Sequence, residues 1–370
     1  MTRTRDDDAC PGALQVHTAA DGLLARLRLP GGMIGAGQLE ALAHTAAEYG
    51  NGTLELTARG NLQLRGVRDA VAVADAAAAA GLLPSPSHER VRNIVASPLS
   101  GRVGGLADVR PWVGELDSAI QADDVLAGLP GRFMFGLDDG TGDISGLRAD
   151  VAAHVLGERA ALLLAGQDTG VRRQLDEVVP ALLAVARRFV EVRGKAWRVA
   201  ELDDPTDLVA GFEATEPAGA TYPPVRRAPV GWIPQDDGLV ALGAGVPLGV
   251  LSARQAEFVA AIEAPVVITP WRSLLVCDLA EGVADTSLRV LAPMGLVFDE
   301  NSRWLDVTAC VGSPGCERSL ADVRAEATRA VSADTAGGQV HYVGCERACG
   351  SPVSGTVLVA TEDGFRVRGE

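Results

Sequence analysis

Four cysteines near the carboxyl end are the residues best suited to chemistry. They form a C-x5-C pair, Cys310 and Cys316, and a C-x3-C pair, Cys345 and Cys349. Paired thiols in a reducing compartment bind metal or do redox work more often than they form disulfides. Both pairs lie among glycines and prolines, and neither has the C-x2-C spacing typical of zinc. The spacing favours an iron–sulfur cluster, with a zinc site and four unrelated cysteines as the alternatives.

A second candidate is a run of polar side chains that alternate with apolar ones. On a single strand these residues share one face: Thr57, Arg59, Asn61, Gln63 and Arg65. Two guanidinium groups and two amides suit a ligand rich in carboxylates, because the arginine fork makes two parallel bonds to a carboxylate. The face is predicted either to bind such a ligand or to be a solvated sheet surface.

Two more arginines are candidates for ligand binding. Arg92 precedes a loop of small residues, and Arg132 begins a predicted strand. Lys195 is the only lysine in the chain, so a positive pocket must be built almost entirely from arginine. The alternative for each is a lone surface arginine.

The elements that must position these residues follow a pattern that occurs twice. Each half predicts a strand, a helix and a strand, at 23–29, 37–49 and 53–64 and again at 239–246, 253–263 and 266–276. The first cysteine pair is placed between a strand that ends near Ala309 and a helix over 319–332, whose first amides are expected to face the cluster. The loop of the first half that corresponds to the second cysteine pair, 138–142, has no cysteine, so only the second half is predicted to hold a cluster.

Short sequence matches indicate that the two halves are copies of one unit. Asp21-Gly22 matches Asp237-Gly238, and Val95-Ala-Ser-Pro matches Val311-Gly-Ser-Pro, both at an offset of 216 residues (237 − 21 and 311 − 95). The matches are weak one by one, but their common order argues for duplication. A duplicated unit of this kind usually builds its site between the copies.

Composition excludes several classes of protein. With 47% apolar and 22% charged residues the chain is predicted to be globular, and no apolar stretch is long enough to span a bilayer. The net charge of −15 disfavours nucleic acid and anionic membranes as partners. The first eleven residues lack the apolar core of a secretory signal, so we expect a cytoplasmic protein.

These motifs together resemble the sirohaem-dependent sulfite and nitrite reductase superfamily. The resemblance rests on the two cysteine pairs, the stretch Leu56–Leu64 and Arg92-Asn93. The opening Ala9-Cys10-Pro11-Gly12, the block from Asp21 to Gly32 and Thr269-Pro-Trp-Arg-Ser are most similar to the precorrin-3B synthase family within it.

The resemblance implies an α+β fold, internally duplicated, with two ferredoxin-like half-domains and two α/β subdomains. The implied boundaries are 1–86 for the first half-domain, 87–212 for the first α/β subdomain, 213–295 for a linker with the second half-domain, and 296–370 for the α/β subdomain with the cluster loops.

The resemblance also assigns roles to residues. Cys310, Cys316, Cys345 and Cys349 hold a [4Fe-4S] cluster, with sirohaem or a further iron as an additional candidate cofactor. Arg59, Arg92 and Arg132 occupy three anion-binding positions over the macrocycle, where the reductases also have a lysine that is replaced here by Met134. The carboxylate arms of the tetrapyrrole are assigned to Thr57, Arg59, Asn61, Gln63, Arg65, Arg272 and Arg347.

The implied activity is the oxygen-dependent hydroxylation of precorrin-3A with closure of a γ-lactone, a step of aerobic cobalamin biosynthesis. The tetrapyrrole is then a substrate, O2 is a co-substrate, and a separate reductase or ferredoxin donates electrons, since no dinucleotide-binding G-x-G-x-x-G is present. The alternatives are a sirohaem sulfite or nitrite reductase and a non-catalytic carrier of a tetrapyrrole or cluster.

Overall fold

The computed structural model describes residues 10–225, 227–333, 338–352 and 354–369. They divide into two compact units. Unit 1 takes Arg28–Gly32, Leu83–Val225 and the described residues up to Gly12. Unit 2 takes Ala13–Leu27, Met33–Leu82 and the described residues after Val225, and therefore contains both cysteine pairs.

The first half of the chain begins with short strands around two helices and continues into a second layer of strands. In chain order the elements are β1 His17–Ala19, β2 Gly22–Leu27, β3 Met33–Ile34, α1 Ala36–Tyr49, β4 Thr53–Leu56, β5 Leu62–Val67, α2 Ala70–Ala79, β6 Ile94–Ala96, α3 Arg110–Gln121, β7 Phe135–Asp138, β8 Val151–Val155, β9 Arg159–Leu164, β10 Gln167–Gln174 and α4 Val178–Val192.

The second half repeats this order up to the fourth strand of the second layer. Its elements are β11 Gly231–Pro234, β12 Val240–Gly245, β13 Val250–Ser252, α5 Ala253–Ala260, β14 Val266–Ile268, β15 Ser273–Leu279, α6 Glu281–Leu291, β16 Val307–Ala309, α7 Val323–Ser332, β17 Val340–Val343, β18 Thr356–Thr361 and β19 Gly364–Val367.

Unit 2 contains two antiparallel sheets that exchange a strand. Their orders are β1-β2-β5-β4-β13 and β11-β12-β15-β14-β3. The short strand of each half thus pairs with the sheet of the other half, β3 with β14 and β13 with β4. This reciprocal exchange is what two copies related by a pseudo-twofold axis produce, and it confirms the predicted duplicated α+β fold.

The second layer of each half is a sheet that begins parallel and ends antiparallel. In unit 1, β6, β7 and β8 are parallel neighbours, and β9 and β10 return antiparallel. In unit 2, β16, β17 and β18 are parallel neighbours and β19 is antiparallel. The carboxyl ends of β16 and β17 therefore meet at one edge of their sheet, and both cysteine pairs begin there.

The predicted strands 53–64 and 266–276 are each two strands joined by a tight turn. In the first half the turn spans Thr57 to Asn61, where the Thr57 hydroxyl accepts the backbone N–H of Arg59 and Asn61. Gly60 adopts φ 66°, a left-handed conformation that glycine reaches without steric cost. The alternation of polar and apolar residues continues through this turn, so the sequence pattern alone does not reveal that the chain reverses here.

The sheet that carries the cysteines has an apolar core of its own. Val307 and Ala309 of β16 and Tyr342 of β17 pack against Val323 and Ala327 of α7. Cys310 packs against this core and so continues it to the sheet edge. None of the helices within the described ranges is both long and apolar enough to cross a membrane.

Candidate metal centre

The two cysteine pairs leave neighbouring strands. Cys310 directly follows β16, and its backbone N–H donates to the carbonyl of Tyr342 on β17 (2.9 Å), which extends the parallel ladder by one bond. Cys345 follows β17 after a single glycine. Since parallel strands end at the same edge, residues far apart in sequence are brought to one place.

Gly344 connects the two cysteine loops. Its N–H donates to the sulfur of Cys310 (3.4 Å), and its carbonyl accepts the N–H of Leu320 (2.9 Å). A Cβ at this position would lie 1.7 Å from the hydroxyl oxygen of Ser319, so no larger residue fits without displacing the loop. The glycine is therefore a structural requirement of the thiol site.

The helix after the first pair starts later than predicted. It begins at Val323, and Asp322 caps its first turn by accepting the N–H of Ala325. The segment from Ser319 to Ala321 is loop. Within the described residues, the backbone N–H that donates to a cysteine sulfur belongs to Gly344 and not to the start of the helix. Residues 319–321 precede the helix, and the N–H of Leu320 among them joins the two loops by donating to the Gly344 carbonyl.

The four thiols lie within electrostatic reach of one another. Burial raises the pKa of Cys349, and the charges of Cys310, Cys345 and Cys316 raise it further, while Arg347 opposes the shift. Mutual repulsion of this kind is relieved when thiolates bind a metal. Cys349 is the exposed member, and the other three are partly buried.

The donor set of four thiols is compatible with a four-iron cluster. Four sulfurs around zinc lie about 3.8 Å apart, given Zn–S bonds of about 2.3 Å in a tetrahedron. Over the described part of the chain, the group of three ligand atoms found within 4.8 Å of one another consists of carboxylates and includes no cysteine. A cube takes each thiolate on a different iron, so the donor set fits [4Fe-4S].

His341 fixes the backbone at Cys349. The fully buried ring lies 3.0 Å from the Cys349 carbonyl through Nε2 and 2.8 Å from the Thr308 hydroxyl through Nδ1. Burial, followed by the charge of Arg272, lowers the pKa of His341 to about 4, so the ring is neutral at pH 7. A carbonyl only accepts, hence Nε2 carries the proton and Nδ1 accepts from the threonine. The ring is a buried support of the site.

Arg65 holds the first cysteine loop. Its buried guanidinium makes a two-pronged ion pair with Asp21 (2.9 and 2.8 Å) and donates to the carbonyl of Gly315 (2.9 Å), a residue 250 positions away. A carboxylate and a backbone carbonyl thus occupy Nε and Nη2. These contacts connect Arg65 to the first cysteine loop, and its binding of a substrate carboxylate stays a prediction.

The other residues of the predicted polar face are divided between the turn and a strand. Thr57 caps the turn, Arg59 is half-buried in it, and Asn61 is buried at its end. Gln63 lies on β5, where it donates to Glu55 (2.6 Å) and accepts from Arg26 (2.9 Å). The five side chains therefore do not form one continuous strand face.

Two predicted arginines flank the second cysteine pair. Arg347 is exposed, and its charge acts on Cys349. Arg272 lies in the turn between β14 and β15 and donates to the carbonyl of Gly350 (3.0 Å), the residue after Cys349. Both arginines thus lie beside the thiol that is most exposed.

The remaining predicted site residues lie in unit 1. Arg92 is buried and makes a two-pronged ion pair with Asp117 (2.6 and 2.8 Å), while its Nη1 is buried without a hydrogen-bond partner in the described structure. Arg132 is exposed, in the loop before β7, with its guanidinium 5.5 Å from the ring centre of Trp197. Met134 is buried, and its N–H donates to Asp150 (2.8 Å).

The loop that corresponds to the second cysteine pair carries carboxylates in unit 1. Asp138, Asp139 and Asp143 bring their oxygens within 4.8 Å of one another. Asp138 accepts the N–H groups of Gly140, Gly142, Ile144 and Ser145 and the hydroxyl of Ser145. Backbone donors thus stabilise its charge and, with His154, hold the pKa of Asp138 at about 2, against the opposing effect of burial.

Asp143 of this trio is expected to make a contribution to the stability of the protein that falls as the pH rises. Burial raises the pKa of Asp143 to about 7, and the charges of Asp138 and Asp139 add to the rise. Between pH 4 and 7 the unfolded chain releases this proton while the folded protein keeps it, so folding loses about 2 to 4 kcal/mol across that window. We expect Asp143→Asn to be more stable than the wild type at pH 8 in urea unfolding, with the difference shrinking toward pH 4.

Asp124→Asn is the control, since Asp124 is exposed and outside the trio. A difference between Asp143→Asn and the wild type that stays constant with pH contradicts the assignment of the raised pKa to Asp143.

Comparisons with known proteins agree with this fold. Residues 17–80 match the nitrite/sulfite reductase ferredoxin-like half domain. A precorrin-3B synthase from Sinorhizobium sp is 27% identical, over 96% of this chain and 81% of its own. An assimilatory ferredoxin-dependent nitrite reductase from Haloferax mediterranei is 24% identical, over 92% of this chain and 70% of its own.

Among solved structures, the Mycobacterium tuberculosis NirA protein superposes with a TM-score of 0.75 at 19% identity, over 93% of this chain and 74% of its own. At this identity the likeness concerns the fold. The predicted resemblance to the nitrite and sulfite reductase superfamily, and within it to a precorrin-3B synthase, is confirmed.

Proposed function

We propose that this chain, whose residues 17–80 form a nitrite/sulfite reductase ferredoxin-like half domain, is an oxidoreductase that hydroxylates precorrin-3A with closure of a γ-lactone. The observation that carries the proposal is the convergence of four thiols at the ends of two parallel strands, Cys310 and Cys316 after β16 and Cys345 and Cys349 after β17. The similarity to a precorrin-3B synthase along nearly the whole chain supports the choice of substrate.

The four cysteines would hold a [4Fe-4S] cluster in this proposal. A bound cluster supplies one-electron transfer, which none of the protein side chains near it provides. The exposed thiol of Cys349 leaves room beside it for a second group, either the tetrapyrrole substrate, a sirohaem or a further iron.

The protein would recognise the substrate by its acetate and propionate arms. Arg59 and Arg347 carry guanidinium groups that fit carboxylates, and Thr57, Asn61 and Gln63 shape the hairpin that presents Arg59. Arg92 and Arg132 are proposed for the oxygen side of the macrocycle. Arg65 and Arg272 are proposed as supports of the cysteine loops, because their described hydrogen bonds go to Asp21 and to the carbonyls of Gly315 and Gly350.

The reaction needs partners that the chain does not contain. One atom of O2 enters the substrate and the other leaves as water, which takes two electrons and two protons. We propose a separate reductase or ferredoxin as the electron donor and the cytoplasm as the location.

A sirohaem sulfite or nitrite reductase is the main alternative. Four-cysteine sites and this fold are compatible with both activities. The buried Met134 argues against the reductase, because a neutral side chain stands where the resemblance places a lysine that binds a small anion. A non-catalytic carrier of a tetrapyrrole or cluster is the second alternative.

Aerobic incubation of the cluster-loaded protein with precorrin-3A and an artificial electron donor tests the proposal. Mass spectrometry should show a product heavier by one oxygen atom and containing a lactone. Haem absorbance in the purified protein with turnover of sulfite or nitrite indicates the reductase instead. Binding of precorrin-3A without any product indicates the carrier.

A further inference from the structure

Arg272 occupies a slot shaped for its side chain. It lies in the turn after β14 with φ 57°, a conformation that is uncommon for a residue with a side chain. A Cβ on Gly249 would lie 2.9 Å from its Cδ, and a Cβ on Gly350 would lie 2.8 Å from its Nη2. Two glycines thus let the guanidinium pass close to the segment that follows Cys349, where Nη2 donates to the Gly350 carbonyl.

The charges around this slot sum to an excess of positive charge. Arg272 and Arg324 lie near each other and near Glu55, and burial and the charge of Arg324 lower the pKa of Arg272. The Glu55 carboxylate is already used, since one oxygen accepts from Arg324 and the other from Gln63 (both 2.6 Å). One carboxylate therefore faces two guanidinium groups.

A further negative charge acts on Arg272 from the cluster side. The charge of Cys310 acts on Arg272 and favours its protonated form. A desolvated cation next to a thiolate interacts strongly because the surrounding dielectric is low. The bond to a neutral backbone carbonyl orients Arg272 without supplying a counter-charge.

We propose that Arg272 is the counter-charge of the metal cluster and raises its reduction potential. The inference rests on the proposed function, because it requires the cluster. Reduction adds a negative charge to a [4Fe-4S] cluster, and a fixed, partly buried cation beside it stabilises the reduced form more than the oxidised one. Arg272 is thus assigned an electrostatic role and does not need to touch the substrate.

A redox titration of the full chain with reconstituted cluster, followed by visible absorbance, tests this assignment. Arg272→Met keeps the length and removes the charge, and we expect the reduction equilibrium to weaken at least tenfold, which is 59 mV for a one-electron couple. Arg272→Lys restores the charge and should keep the potential close to the wild type. Arg289→Met, at an exposed ion pair on α6, is the matched control and should not shift the potential.

Each other outcome overturns the assignment. The assignment is wrong if the cluster of Arg272→Met has the wild-type reduction potential. It is also wrong if the cluster of Arg272→Lys has the same potential as that of Arg272→Met. If Arg272→Met and Arg272→Gln both fail to retain iron while Arg272→Lys retains it, the arginine acts on assembly and not on the potential. A wild-type chain that takes up no cluster contradicts the proposed function itself, which separates the two failures.

Discussion

Cys316→Ser and Cys345→Ser are each expected to abolish the cluster. The wild-type chain should bind about four iron and four sulfide ions after anaerobic reconstitution. Each variant removes one thiolate ligand from a different strand end, and a serine hydroxyl is a much weaker ligand for iron because it is far less acidic than a thiol. Iron and sulfide content should fall to below about a tenth of the wild type, and the broad visible absorbance should disappear, as measured by metal analysis and spectroscopy.

Cys10→Ser provides the control for this experiment. Cys10 is buried in unit 1, where its sulfur contacts the Gly131 carbonyl and the guanidinium of Arg28, and serine preserves a polar atom there. Its iron content should match the wild type. Full iron content in Cys316→Ser, or loss in Cys10→Ser only, would rule out the four-cysteine site.

Arg65→Met is expected to have the second largest effect. Without the guanidinium, the Gly315 carbonyl loses a buried donor and Asp21 loses its counter-charge. Since Asp21 is partly exposed, we expect a loss of about 2 to 4 kcal/mol in the free energy of unfolding. Because the bond fixes the loop between Cys310 and Cys316, iron retention should also fall several-fold, measured by dialysis against a chelator.

Arg68→Met is the matched control, from the same segment of chain. Its guanidinium donates to the carbonyls of Gly50 and Glu48, away from the cysteine loops. Stability should change by less than about 1 kcal/mol and iron retention should not change. Equal iron retention in Arg65→Met and the wild type would show that Arg65 supports the fold without positioning the loop.

Local sequence was enough to identify the cysteine pairs as candidate ligands and to predict the duplication. Thiol pairs are recognisable because metal ligands need particular residue types at short spacing, as at Cys310 and Cys316. The repeat at an offset of 216 residues was visible because both halves keep turn residues, such as Asp21-Gly22 and Asp237-Gly238, at the same places. The strand order and the exchanged strands confirm that reading.

Other features depended on contacts between distant residues. The pairing of β3 with β14 and of β13 with β4 joins the two halves, and short strands of this kind carry little signal in the sequence. The sequence pattern predicts one continuous strand across the hairpin at Thr57–Asn61, because the alternation persists through a turn built by a side-chain hydroxyl.

The contacts of the arginines were decided only by the tertiary structure. Sequence identifies a guanidinium but not its partner, and Arg65 and Arg272 contact carbonyls that lie far away along the chain. The residue type determined that a positive charge would be present, and the packing of unit 2 determined which group that charge faces. The physical reason is that residue type and short spacing are local properties, whereas a hydrogen-bond partner is set by how distant segments pack.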